Sequence, residues 1–272
     1  MELKGTWVND SRTLIYQVIP KCACSSIGQI LYKADHGEFF DGTIHDARTG
    51  IWTSVNHADH DTSVRAIRET IAGGRAFSFT CVRNPYTRIL SAFLDKFCRV
   101  QRSGNMYRGS LIDRIAARYE IDRVGDFDQI RAFRKFLLFV RDTMKFNHPI
   151  EPDIHWQTMA SHCHYLIRAG GKLDYVFPVE DFHAGMAHVL AAAGLSDKVD
   201  LDTLPRFNDG TALHPRRAHP VEDYFDDLAE HIVRMVYGWD FGLFKYRHRP
   251  NTDGPRGPID VTEINEKLSR WK

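Results

Sequence analysis

The chain has 272 residues, 43% of them hydrophobic, enough to bury a sizeable core as one α/β domain with excursions. Its 36 Lys and Arg nearly balance 35 Asp and Glu, for a formal charge of +1, so bulk electrostatics call for neither nucleic acid nor an anionic membrane and any anion site must be local. Five cysteines, an odd number, make no disulfide framework, and the Cys22/Cys24 pair lacks the second close pair that a zinc site needs.

Met1 to Thr6 contains no apolar run of the secretory kind, and no later stretch has the length of a membrane span. A cytoplasmic protein is expected. Leu14 to Ile19 is almost continuously apolar and β-branched, which suits a central parallel strand ended by Pro20. Ile27, Ile30, Leu31 and Ala34 then recur at helical spacing, with Ser25 or Ser26 as the expected N-cap.

A second strand-to-helix unit is read from Ile51 to Val55, through the His57 to His60 stretch, into Val64, Ile67 and Ile71. A third runs from Ala76 to Val82, with Asn84 as cap and Pro85 at the first helical position, before the stripe Ile89, Leu90, Phe93, Leu94, Phe97. Gln101 to Tyr119 reads as an excursion or lid, Phe127 to Val140 as a helix, and Asp174 to Val179 as another strand. A helix from Met186 to Ala193 stops at Gly194, and a last one lies near Val221 to Tyr237. This alternation predicts a central parallel sheet with right-handed crossovers and flanking helices. The expected organisation is one domain over 1–248 with a helical or lid excursion near 101–150, then a loosely attached extension over 249–272.

Two segments carry chemistry, Ile19-Pro20-Lys21-Cys22-Ala23-Cys24-Ser25-Ser26 and Val82-Arg83-Asn84-Pro85 through Ser91-Ala92-Phe93. A turn from a buried strand into a helix leaves the first helical N–H groups unpaired, and Lys21, Ser25 and Ser26 add a cation and hydroxyls there. This is not a Walker loop, since G-x-x-x-x-G-K-[ST] is absent. Arg83 leaves the third strand and Ser91 lies two helical turns on, so both can reach one small polyanion, for which the arginine fork is suited. Two anion sites on neighbouring strand ends point to a ligand with phosphates at both ends of a nucleoside.

The first segment resembles the 5′-phosphosulfate loop of sulfotransferases that use 3′-phosphoadenosine 5′-phosphosulfate (PAPS), and the second, with Asp95-Lys96-Phe97, resembles their 3′-phosphate segment. His155-Trp156-Gln157-Thr158, Cys163-His164, Asp174-Tyr175-Val176 and Glu180 are similar to the chondroitin and dermatan carbohydrate sulfotransferases, and Tyr237-Gly238-Trp239-Asp240-Phe241-Gly242-Leu243-Phe244 resembles their carboxy-terminal ending. The likeness runs from about Leu14 to Tyr246. Where those Golgi enzymes carry a second cysteine after the His-Trp motif, this chain has Leu166, so a disulfide is not expected there.

The resemblance implies a three-layer fold of the P-loop type and an O-sulfotransferase that moves the sulfuryl group of PAPS to a hydroxyl of a carbohydrate or glycoconjugate, without a metal. It implies Lys21 at the leaving group and Lys21, Cys22, Ala23, Cys24, Ser25, Ser26, Arg83 and Ser91 around the cofactor. His57 is the expected base, with His60 in reserve and His155 a weaker rival that instead holds the acceptor or braces the site. A lipid, phenol or small-alcohol acceptor, a non-catalytic nucleotide-binding module and an ATP-dependent kinase are the competing readings. Trp156 is expected to be a core anchor before it is a sugar platform, and Arg88, Lys96, Arg216 and Arg217 to be solvated charges.

Overall fold

The computed structural model describes residues 3–42, 44, 49, 51–53, 60–98, 111–122, 126–146, 148–150, 152–205, 219–250, 254–255 and 257–271. Its strands are β1 (Thr6–Val8), β2 (Leu14–Gln17), β3 (Trp52–Thr53), β4 (Phe77–Val82) and β5 (Tyr175–Pro178), paired in the order β3-β1-β2-β4-β5. Tyr16 stands opposite Phe79 and Cys81 opposite Phe177 in the parallel pairs β2–β4 and β4–β5, whereas β1 runs antiparallel to both β2 and β3. The sheet is therefore mostly parallel and flanked by helices, an α/β fold as expected.

The strand β1 is the departure. Three residues are too few to show a period, and the sequence reading passed over them. They form a hairpin with β2 because the Asn9 side chain accepts from the N–H groups of Thr13 at 3.0 Å and Leu14 at 2.8 Å, which closes the turn. The strand of the unit read at Ile51 to Val55 consequently lies beyond β1 at the edge, not beside β2, and of its described residues Trp52–Thr53 is strand.

The helices are α1 (Cys24–His36), α2 (His60–Gly73), α3 (Pro85–Lys96), α4 (Leu111–Tyr119), α5 (Gln129–Lys145), α6 (Met159–Arg168), α7 (Phe182–Ala192), α8 (Asp227–Leu243) and α9 (Val261–Ser269). Among the described residues none is long and apolar enough to cross a membrane. Gly28 lets α1 lie close on β1, since a Cβ there would sit 2.8 Å from the Trp7 ring. In α3 the Asn84 side chain accepts from Tyr86 N–H at 3.0 Å and Pro85 opens the first turn, as the sequence predicts.

Residues 101–110, the first part of the expected lid, lie outside the described residues. Further along the same span, α5 buries Phe133, Phe136 and Phe139 completely, with Phe93 and Trp156 within ring-contact distance. The last long helix starts later than predicted, because Glu222–Tyr224 forms a 3-10 turn and Asp226 then caps α8 through Ala229 N–H at 2.9 Å. The tail is also docked. Ile264 and Leu268 of α9 are fully buried, Asn265 exchanges two hydrogen bonds with Leu173, and Ile259 N–H reaches Val176 O at 3.0 Å. An amphipathic helix after a Pro- and Gly-rich stretch gains enough by burying its stripe to stay attached.

Candidate functional site

At the end of β2 the backbone turns through two residues that adopt positive φ, Lys21 at +70° and Ala23 at +60°. Side chains in that region cost about 1–2 kcal/mol each relative to a right-handed residue, and glycine is absent where glycine is the usual choice. Backbone strain of this kind is kept where the local shape serves a function. Ala23 is the N-cap of α1 and offers no side chain to cap it. The expectation that Ser25 or Ser26 caps the helix is corrected: both fall in the first helical turn, half-buried. The result is a helix start with no side-chain cap, two hydroxyls in its first turn and the positive end of the helix dipole.

The second segment meets the first directly. Arg83 donates from Nε to Thr87 Oγ1 at 3.1 Å and from an Nη nitrogen to the Lys21 carbonyl at 3.2 Å. Ser91 is half-buried on α3, and among the described residues its hydroxyl has no partner, so it is not bonded back to its own helix. One helical turn later Asp95 receives two lysines on one oxygen, Lys21 Nζ at 3.2 Å and Lys96 Nζ at 3.3 Å.

These charges are held unequally. Burial pushes Asp95 up, but Lys21 and Lys96 outweigh it and hold the carboxyl down at about 2. Burial lowers Lys21, and the single carboxylate of Asp95 does not fully restore it while Lys96 adds like charge. Cys22 turns its thiol into the core, 4.0 Å from Met159 Sδ, and burial pushes it up to about 12. Cys24 is half-buried and is also raised by burial, against the pull of Lys21.

Beneath the two loops lies a brace. Arg88, expected to be solvated, is 1% exposed and donates to Pro20 O at 3.0 Å and to Gln157 O at 2.7 Å. Trp156 is fully buried, a core anchor, and its carbonyl accepts from Tyr237 OH at 2.7 Å. The buried Asp240 accepts from the Met159 and Ala160 N–H groups at 2.8 and 2.9 Å, and burial raises it to about 6 against those bonds and Arg88. Met159 Sδ in turn accepts from Arg83 N–H at 3.5 Å.

Of the histidines named from the sequence, His57 lies outside the described residues, and of His60 only its backbone place at the start of α2 is described. His155 is held by Asp153, whose Oδ1 is 2.5 Å from its Nδ1. Asp153 and, as a buried group, Arg88 have a structural part here that was not singled out, and Asp95 was named within its motif but given no role. Asp95 had a signal, since it follows Ser91 by four positions and so shares its helix face. Arg88 had none, because a charged side chain in a helix is mostly exposed.

Residues 4–247 match the profile described as the sulfotransferase family. Carbohydrate sulfotransferase 10 of Mus musculus is 29% identical over 182 residues, 63% of this chain and 47% of that protein, and its Xenopus laevis counterpart 28% identical over the same shares. Carbohydrate sulfotransferase 11 of Rattus norvegicus is 25% identical over 255 residues, 90% of this chain and 68% of that protein. The chain thus spans about half the length of the carbohydrate sulfotransferase 10 relatives. No solved structure matches it.

Proposed function

From the premise that this chain belongs to the sulfotransferase family, we propose that it moves a sulfuryl group from PAPS to a hydroxyl of a carbohydrate. The observation that carries the reading is the bond from Arg83 to the Lys21 carbonyl at 3.2 Å, which puts the two anion-binding segments side by side at the ends of β2 and β4. The carbohydrate sulfotransferases among its relatives support the carbohydrate acceptor.

The residues present fit the donor. The uncapped start of α1 and the hydroxyls of Ser25 and Ser26 suit its 5′ end, where N–H groups and a helix dipole favour negative charge. Arg83 has five donors and spends two on Thr87 and Lys21, so its fork can still grip the 3′-phosphate, with Ser91 beside it. PAPS supplies an activated sulfur whose bond to the 5′-phosphate breaks as an acceptor oxygen attacks. Lys21 meets the charge that builds on that phosphate, and its lowered proton affinity makes it a readier proton donor. Asp95 holds the ammonium until a stronger anion competes for it. A reducing, cytoplasmic setting belongs to the same proposal, supported by five unbridged cysteines.

The test is thermal unfolding of the full chain with adenosine 3′,5′-bisphosphate against ATP plus magnesium, followed by transfer of radiolabelled sulfate from PAPS to glycans, lipids and phenols. Binding at 100 times the dissociation constant stabilises the folded state by about 2.7 kcal/mol. The bisphosphate is expected to raise the melting temperature, ATP to leave it, and glycans to be labelled. Labelling of phenols or lipids alone would replace the acceptor class, and stabilisation without any transfer would make the chain a binding module.

A further inference from the structure

Asp95 holds two cations at one atom. Lys21 Nζ lies 3.2 Å and Lys96 Nζ 3.3 Å from the same carboxylate oxygen, Oδ2. Both contacts are longer than the about 2.7–2.9 Å of an unhindered ammonium–carboxylate bond, since two like charges cannot both approach one oxygen closely. On α9 the same composition settles differently: Lys245 and Lys267 each take their own oxygen of Glu263, both at 2.7 Å. The side chains of Asp95, Lys21 and Lys96 are 12%, 18% and 26% exposed, so solvent screens their competition less than at an open surface.

The helix does not account for the carboxylate. Asp95 stands in the last turn of α3, where the negative end of the dipole disfavours an acid and favours a lysine. Lys96 ends the same helix, so its ammonium stays near Asp95 wherever that of Lys21 goes. Lys21 comes from the other loop, and there the main chain is pinned while the side chain is not: Arg83 donates to the Lys21 carbonyl at 3.2 Å, so the ammonium can swing without moving the turn. The charges agree, since Asp95 raises the proton affinity of Lys21 and Lys96 lowers it. Ser91, one helical turn before Asp95, shares its face of α3.

We propose that Asp95 and Lys96 form a cation exchange for the donor loop, an assignment that rests on the sulfuryl-transfer reading. Asp95 is the positioning residue that holds Lys21 until nucleotide arrives, and Lys96 takes over the whole carboxylate when Lys21 moves to the 5′-phosphate. Without Lys96 that move would leave Asp95 bare beside a polyanion. When adenosine 3′,5′-bisphosphate leaves, the carboxylate recaptures Lys21. Asp95 therefore limits how tightly the nucleotide is held, and Lys96 limits how strongly Asp95 competes for the ammonium.

The experiment measures the dissociation constant of adenosine 3′,5′-bisphosphate by titration calorimetry on the full-length wild type, Asp95→Asn, Asp95→Glu, Lys96→Met, Lys21→Ala and the double variants of Asp95→Asn with Lys96→Met and with Lys21→Ala. Asp95→Asn is expected to bind about three- to tenfold more tightly and Lys96→Met about three- to tenfold more weakly, the scale of one partly shielded ion pair. Asp95→Glu, which keeps the charge, is expected to return toward the wild-type value. In the Asp95→Asn background Lys96→Met is expected to leave the constant within about twofold, and so is Asp95→Asn in the Lys21→Ala background. A purely structural Asp95 would bind no better as Asp95→Asn, and that result overturns the exchange. So does a Lys96→Met loss that persists without Asp95, which puts Lys96 on the nucleotide itself, or an Asp95→Asn gain that persists without Lys21, which is bulk charge. Should Asp95→Asn not fold, Asp95→Ser replaces it in each comparison. A wild type that binds no bisphosphate and transfers no labelled sulfate from PAPS fails one step earlier, and takes the sulfuryl-transfer reading with it.

Discussion

The loop edge at Lys21, Arg83 and Asp95 and the brace at Arg88, Trp156 and Asp240 use the same residue types in opposite ways. At the edge, one carboxylate faces two ammonium groups and is driven down to about 2, while Arg83 divides its fork between the Thr87 hydroxyl and a single carbonyl, that of Lys21. In the brace, side chains meet backbone: Arg88 holds two carbonyls and Asp240 two N–H groups, and burial raises Asp240 to about 6. A charge balanced by another side chain can be exchanged for a ligand's charge, whereas one spent on backbone groups fixes the chain. The edge is therefore where chemistry is possible, and the brace is what keeps the loops in register.

The largest effect that would sharpen this contrast is at Lys21. Lys21→Ala is expected to lower sulfuryl transfer by about 10²–10⁴-fold while the urea midpoint falls less than in Arg88→Ala, because Lys96 still pairs with Asp95 once Lys21 is gone. Arg88→Ala should do the reverse. Leaving the buried Pro20 carbonyl and the part-buried Gln157 carbonyl without donors and opening a void costs about 3 kcal/mol or more, read as a fall in the unfolding free energy in urea. Equal losses of stability in the two variants would erase the distinction.

A pH series separates the two carboxylates by sign. Asp95 is held below its usual 3.8, at about 2, so its contribution is present above 3.8 and lost as pH falls through about 2. Asp240 is raised from 3.8 to about 6, so its contribution is full below 3.8 and lost as pH rises through about 6. In urea titrations across that range, Asp95→Asn should flatten the acid-side decline and Asp240→Asn the decline toward neutral pH. The smallest effect is at Ala23. Its positive φ predicts that Ala23→Gly stabilises the chain by up to about 1 kcal/mol, since relief of strain exceeds the added freedom of the unfolded glycine; a loss of stability would show that the turn is not strained there.

The two strand–turn–helix units were legible because their signals are local. The run Leu14 to Ile19, the Asn84-Pro85 cap and the stripe from Ile89 to Phe93 each lie within one element. The hairpin strand Thr6–Val8 was not, since its pairing depends on Asn9 closing a turn more than on any period of its own. In the tail, Pro and Gly were read as detachment although Ile264 and Leu268 bury the helix that follows. In the site, Lys21, Arg83 and Ser91 were singled out by type and position, whereas Asp153 passed as an ordinary loop acid because its partner is visible only once the turn is folded.

By itself the amino-acid sequence determined the α/β alternation, the two loops and the anion-binding residue types within them, since periodicity and capping act over a few neighbours. Only the tertiary structure decided that Asp95 would hold Lys21, that Arg88 would be buried between Pro20 and Gln157, and that Asp153 would hold His155. Charges respond to what surrounds them in space, and those surroundings come from segments far apart along the chain.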